Sequence, residues 1–122
     1  MSLGALIGAS MTTRGEIYWV DWTPARGSEQ VGKKPALVVQ NNTGNQLSST
    51  TIVVAVTTRV MKRRYPFHVP VPNGVLPQES TIMCEQMMTI DQSRLVGKRV
   101  ALLPDDVMEE VDAAIKRSLG LR

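Results

Sequence analysis

The apolar positions of this 122-residue chain fall into short, β-branched-rich runs separated by glycine, proline and polar stretches. Such runs are strand signals, and their punctuation marks turns. Arg14–Trp22 sets apolar Ile17 and Trp19 against polar Glu16 and Asp21, an imperfect alternation that predicts a first strand. Thr23-Pro24 ends it. Pro35–Gln40 predicts a second strand, and Thr51–Thr57, with the sequence TIVVAVT, a third. Between them, Asn41–Thr50 (NNTGNQLSST) reads as a turn with Gly44 near its centre. Arg59–Tyr65 is a basic connection. Phe67–Val71 is a short strand stopped by Pro72-Asn73-Gly74. Ser80–Glu85 and Gln86–Ile90 predict a strand with a bend, Asp91–Arg94 one helical turn, and Leu95–Leu103 the last strand.

The tail carries the helical pattern. Pro104-Asp105-Asp106 opens it with acids near the positive end of the helix dipole. Val107, Val111, Ala114, Ile115 and Leu119 recur at helical spacing, and Glu109, Glu110 and Asp112 form a solvated row. Lys116 and Arg117 sit in the last turn, and Gly120 can close it. The fold class is mainly β with a C-terminal α-helix, arranged as a small barrel on which the helix packs.

Composition narrows the setting. The length fits one domain, running from Met11 to residue 122 behind a leader or appended extension over residues 1–10. The single Cys84 allows no intramolecular disulfide, and with no apolar run long enough for a membrane span the expectation is a cytoplasmic protein away from membranes. The net charge is +3 and is unevenly spread: residues 1–100 hold 11 Lys/Arg against 6 Asp/Glu, residues 101–122 hold 3 against 5. The basic excess lies near Lys33, Lys34, Arg59, Lys62, Arg63 and Arg64, which suits an anionic partner such as nucleic acid or simply a soluble basic surface.

One stretch stands apart. Gly27-Ser-Glu-Gln-Val-Gly-Lys-Lys-Pro35 is a polar loop bracketed by glycines and stopped by proline, leading at once into the second strand. Polar chemistry is thus presented at the threshold of a rigid element. If the second and third strands pair antiparallel with Gln40 facing Thr51, then Ala36 faces Ala55 and Lys34 faces Thr57. Opposed residues share a face, and a one-residue slip would separate them. An ammonium and a hydroxyl then meet at the open end of a hairpin, near Glu29. The plainer alternative is a solvated lysine and a strand-end threonine.

Few chemistries fit these residues. His68 is the only histidine, Cys84 stands alone, and no carboxylate cluster has metal-ligand spacing. No nucleophile elbow accompanies His68. GSEQVGKKP runs into a strand rather than opening a helix, so it is not a phosphate-binding fingerprint. Metal-free, cofactor-free phosphodiester cleavage remains feasible, because RNA brings its own 2′-hydroxyl nucleophile. The protein then supplies a cation, hydrogen-bond donors and groups that move protons.

At this point the sequence is similar to a family. Arg14-Gly-Glu-Ile-Tyr18, Asp21, Gly27-Ser-Glu-Gln30, Gly32 with Pro35, Leu37-Val-Val-Gln-Asn41, Ala55-Val-Thr57, Tyr65-Pro66, Glu85-Gln86 and Thr89-Ile-Asp91 resemble the MazF/PemK-type toxins of type II toxin–antitoxin systems. The resemblance covers Thr13 to about Leu119. It implies an SH3-like barrel, a homodimer, and sequence-specific, metal-independent cleavage of single-stranded RNA to a 2′,3′-cyclic phosphate and a 5′-hydroxyl. It implies a cognate antitoxin that blocks the groove with a flexible acidic segment, and contact with DNA only through that antitoxin.

Residue by residue, the family's catalytic arginine falls on Lys34, a departure, and its catalytic threonine on Thr57. Glu29, Ser28 and Gln30 match loop positions that shape the site, Glu29 as a lesser positioning or base group. Gln40, Asn41 and Gln86 match positions linked with RNA contacts, and Lys33 and Arg59 are cations placed to join them. Two other classes stay open: an RNA- and antitoxin-binding module with weak turnover, and a toxin of the same fold acting on a protein such as a topoisomerase. Trp19 and Trp22 read as core or interface packing, Met87 and Met88 as packing, His68 as a satisfied strand residue and Cys84 as inert.

Overall fold

Three strands at the centre of the molecule set the position of everything else. In the computed structural model, which describes residues 12–22, 33–59 and 61–122, β1 is Glu16–Asp21, β2 is Lys33–Val38 and β3 is Thr50–Thr57. They are followed by β4 (His68–Pro70), β5 (Thr81–Asp91), a 3₁₀ turn (Gln92–Arg94) and β6 (Leu95–Leu102). A short helix, α1 (Asn42–Leu47), joins β2 to β3, and α2 (Asp105–Leu119) ends the fold. The leader over 1–10 lies outside the described residues.

All six strands belong to one antiparallel sheet in the order β4-β5-β3-β2-β1-β6. This is a barrel-like β sheet left open between β4 and β6 among the described residues.

Alternation along the central strands explains the packing, because successive strand residues point to opposite faces. Ile17, Leu37, Val54 and Val56 face one side and join Ile82, Cys84, Leu103, Val107, Met108, Val111 and Ala114 in one apolar cluster. Tyr18, Val20, Ala36, Val38, Val53 and Ile90 face the other side and form a second cluster with Trp22 and Leu95. α2 covers the first cluster. Within the expected helical stripe, Val107, Val111 and Ala114 are buried, whereas Leu119 is 56% exposed and Met108 takes a buried place. Gly120 ends α2 at φ 74°, a left-handed conformation that glycine adopts without strain. The guanidinium of Arg14 ties the start of the sheet to this helix, donating to Val39 O at 2.9 Å and pairing with Asp112.

The connection 41–50 departs from the expected turn. Its middle is helical because tertiary hydrogen bonds hold a segment of weak helix formers. Asn41 Oδ1 accepts from Gly44 N at 2.7 Å, capping the first turn. Buried Asn45 accepts from Gln40 Nε2 and Thr51 Oγ1, at 2.8 and 2.7 Å, and donates to Gln40 O at 3.1 Å. Gln92 Nε2 closes the cluster by donating to Asn45 O and Ser48 O, both at 2.9 Å.

The bend expected near residue 85 is a bulge. Val54 faces Met87, but the next residue, Ala55, faces Met83. Cys84, Glu85 and Gln86 are therefore extra residues on β5.

His68 is buried and satisfied: Tyr65 N donates to Nδ1 and Nε2 faces Glu85 Oε2, each at 3.3 Å. Burial, reinforced by the charges of Glu85 and Asp112, pushes the Cys84 thiol up from 9.0 to about 12. Burial and the neighbouring Glu16 carboxylate push the Tyr18 hydroxyl up from 10.0 to about 12.

Two measurements follow from this packing. Leu37 is fully buried, so Leu37→Ala should lower the unfolding free energy by about 2–5 kcal/mol in urea titrations, while Leu119→Ala should change it by less than about 0.5 kcal/mol. In alkaline solution the native state keeps the Cys84 and Tyr18 protons longer than the unfolded chain does. Unfolding then releases protons, so their contribution is intact below about pH 9 and is lost as pH rises toward 12. Urea midpoints measured across that range should fall, and should fall less steeply in Cys84→Ala and Tyr18→Phe.

Candidate catalytic cavity

The β2–β3 register brings the two sequence-selected groups together. Ala36 lies opposite Ala55, Leu37 opposite Val54 and Val38 opposite Val53. Continuing that count outward puts Lys34 against Thr57 on one face at the open end of the hairpin. On the flanks, Lys34 pairs with Val20 of β1 and Thr57 with Thr81 of β5. Lys34 is exposed and Thr57 half-buried.

Two open cavities meet at this point, and Lys34, Pro35, Val56 and Thr57 line both. The first, about 500 Å³, is completed by Trp22, Ala55, Arg59, Gln86 and the methionines Met61, Met83, Met87 and Met88. The second, about 420 Å³, adds Trp19, Lys33, Leu76, Pro77, Gln78 and Val100, among others. Both are in the size range of small-ligand sites.

The polar groups have usable geometry. Arg59 N donates to Thr57 Oγ1 at 3.1 Å. One lone pair of the hydroxyl is thereby taken, and its proton is left to donate toward a ligand. Lys33, Lys34 and Arg59 are all exposed. The ion pairs among the described residues are Arg14–Asp112, His68–Glu85 and Arg99–Glu16. None of them spends a cation of the cavities, so the positive charge there is available to an anion. No group of three or more His, Cys, Asp or Glu among the described residues could hold a metal ion.

Other sequence-selected residues are placed differently. Gln86 and Arg59 line the first cavity, and Lys33 the second. Gln40 and Asn41 sit at the other end of β2, about 20 Å from Lys34 by strand rise. There Gln40 Nε2 donates to Asn45 Oδ1 and to Thr50 O, while Asn41 caps α1. Ser28, Glu29 and Gln30 lie outside the described residues.

One packing expectation is corrected: Met88 is 50% exposed in the first cavity. Trp22 packs against the second apolar cluster as expected and also borders the first cavity, Met87 packs against the first cluster, and Trp19 is 44% exposed and lines the second cavity. Met61 and Met83 also line the first cavity. The signal for Met83 is the broken alternation of Ile82-Met-Cys-Glu-Gln-Met-Met88, and the sequence carries none for Met61.

Fold and cavity together define a small β domain with an ammonium and a hydroxyl side by side in the lining of two open cavities. Comparison with known proteins makes that class specific. The family model of PemK-like, MazF-like toxins of type II toxin–antitoxin systems matches residues 13–119. The endoribonuclease MazF of Staphylococcus saprophyticus is 43% identical over 113 residues, covering 91% of this chain and 93% of that protein. The crystal structure of MazF from Deinococcus radiodurans is 27% identical with a TM-score of 0.73, over 91% of this chain and 98% of that one. A MazE–MazF crystal structure from the same organism reaches a TM-score of 0.77 at 25% identity, over 92% and 99% of the two chains. The chain belongs to the PemK-like, MazF-like toxin family, and its enzyme class is endoribonuclease.

The Gln40 amide is tied into the fold at the far end of the hairpin. Gln40→Leu should therefore lower the unfolding free energy by roughly 1 kcal/mol, the usual net worth of such hydrogen bonds, read from urea or thermal unfolding.

Proposed function

We propose that this toxin cleaves single-stranded RNA at specific sequences without a metal, by transesterification at the phosphate held between Lys34 and Thr57. The observation that carries the reading is the shared lining of both cavities by those two residues. The substrate's 2′-oxygen attacks phosphorus, the bond to the 5′-oxygen breaks, and a 2′,3′-cyclic phosphate and a 5′-hydroxyl result. A proton leaves the 2′-hydroxyl and another reaches the 5′-oxygen. The Lys34 ammonium offsets charge on the phosphorane and can deliver that second proton. The Thr57 hydroxyl, turned outward by Arg59 N, donates to a non-bridging oxygen. Glu29 serves as the positioning or base group. Lys33, Arg59, Gln86, Ser28 and Gln30 contact the RNA beside the cut, and Gln40 and Asn41 contact it farther out.

The chain works in the cytoplasm as a homodimer held in check by a cognate antitoxin. A flexible acidic segment of that partner competes with RNA for the same cations. The MazE–MazF structure of Deinococcus radiodurans, with the same fold, supports a toxin–antitoxin pair. Among the described residues no helix is long and apolar enough to cross a membrane.

Lysine at position 34 favours one second reading. It offers a single point charge where arginine offers a two-pronged fork for phosphate oxygens. A module that binds RNA and antitoxin but turns over slowly would keep the same surface.

Cleavage of a defined RNA in EDTA separates these readings. Wild-type protein should cut and leave 5′-hydroxyl ends, and Lys34→Met and Thr57→Val should each lose about 10²–10³-fold in rate. Lys34→Arg should retain cutting. Undiminished rates in both Lys34→Met and Thr57→Val would remove the mechanism, and binding without cutting by the wild type would establish the slow module.

A further inference from the structure

Four of the seven methionines of the chain line one cavity, the one shared with Lys34 and Thr57. The β5 bulge gathers three of them. In an even strand, residues 83 and 87 would stand about 13 Å apart. Here they lie opposite neighbouring residues of β3, Met83 against Ala55 and Met87 against Val54, with Met88 next against Val53. Met88 is 50% exposed, and Met61, Met83 and Met87 are half-buried. Met87 also packs against the apolar cluster beneath α2, and Met108, 7% exposed, is a buried member of that cluster. Cys84, inside the bulge itself, is fully buried.

Thioether oxidation follows access to the sulfur, and thiol oxidation follows access and thiolate character. Among the described residues the more accessible sulfur is therefore in the cavity and not at the cysteine. We propose that Met83, Met87 and Met88 form a modification site for hydroperoxides, and that their conversion to sulfoxides shuts the cavity to RNA.

The chemistry balances with the peroxide alone. The thioether sulfur attacks one peroxide oxygen, an S–O bond forms and the O–O bond breaks. The other oxygen leaves, after a proton shift, as water from hydrogen peroxide or as the alcohol from an organic hydroperoxide. Sulfur loses two electrons and the peroxide gains them. The product carries a strongly accepting oxygen where an apolar, polarisable wall had been. That oxygen can accept hydrogen bonds from Lys34 or Arg59, which line the same cavity, and draws those cations from the phosphate. The consequence for RNA rests on the ribonuclease reading; the order of oxidation does not.

The test treats the full chain with hydrogen peroxide and follows each methionine by peptide mass. In parallel, cleavage is measured, together with binding of an RNA oligonucleotide carrying a 2′-deoxy substitution at the cut site. Sulfoxide should accumulate at Met88, Met87 and Met83 before Met108, with Cys84 unmodified. Cleavage and oligonucleotide binding should fall about tenfold in step with it and recover after methionine sulfoxide reductase. Met83→Leu, Met87→Leu and Met88→Leu combined should make treated and untreated samples of the variant equal, whatever its own rate. Oxidation of Met108 or Cys84 first would overturn the site. Full oxidation of the three with unchanged binding and cleavage would overturn its effect. Untreated protein that neither binds nor cuts RNA would instead count against the ribonuclease reading, with the peptide masses still deciding the site.

Discussion

The pairing of Ala36 with Ala55 is the constraint on which the rest depends. It sets the register of the central hairpin, and a strand shifted by one residue would turn its whole face over. Lys34 would then leave the side that carries Thr57. The register is defended from both faces at once. Leu37 and Val54 are committed to the cluster beneath α2, and Ala36, Val38 and Val53 to the opposite cluster. A slip would expose buried apolar side chains on both sides, at roughly 1.5–3 kcal/mol for each large one. The Lys34–Thr57 juxtaposition is thus held by residues that line neither cavity.

The closed end of the same hairpin is secured differently. Asn45 is a buried polar residue whose side chain accepts from Gln40, just beyond β2, and from Thr51 of β3, while its backbone carbonyl accepts from Gln92 of the 3₁₀ turn. Such a group is costly when unpaired and specifying when satisfied. It fixes the direction in which β3 departs, while apolar packing fixes the pairing. The division leaves the open end free for function. Lys33, Lys34 and Arg59 are exposed there, and none of them is in an ion pair among the described residues.

Much of this was legible in the sequence. The strands were readable because proline, glycine and polar clusters bound each apolar run, and α2 because its stripe and its terminal charges agree. The Lys34–Thr57 juxtaposition was readable because a register can be counted once two strands are assumed to pair. α1 was not readable: Asn-Thr-Gly-Asn-Gln-Leu has little helical preference, and the helix forms through contacts with Thr51 and Gln92. The bulge escaped for a similar reason. A break in alternation shows that a strand bends, not how many residues it loops out, and that number decides which side chains reach the cavity. Trp19 shows the limit of face counting. It shares a face with buried Ile17, yet the first apolar cluster ends before reaching it.

The two halves of the cavity follow unlike physical rules, and that explains how one small sheet serves two demands. The phosphate recognition proposed for Lys34, Lys33 and Arg59 would be long-ranged and tolerant of position, because an ammonium or guanidinium acts through a field that salt weakens but does not redirect. The alcohol at 57 has to be aimed, and it is aimed by a backbone amide two residues on. The methionine wall needs neither a field nor an aim. It gives a soft surface that can adjust to whatever lies beside the phosphate. In the proposed mechanism charge draws the ligand in, a fixed hydroxyl selects the phosphate, and an adaptable wall accepts its neighbour. Only the second of these needs the hairpin register to be right to within a single residue, and that register is held by apolar packing on both faces of the hairpin.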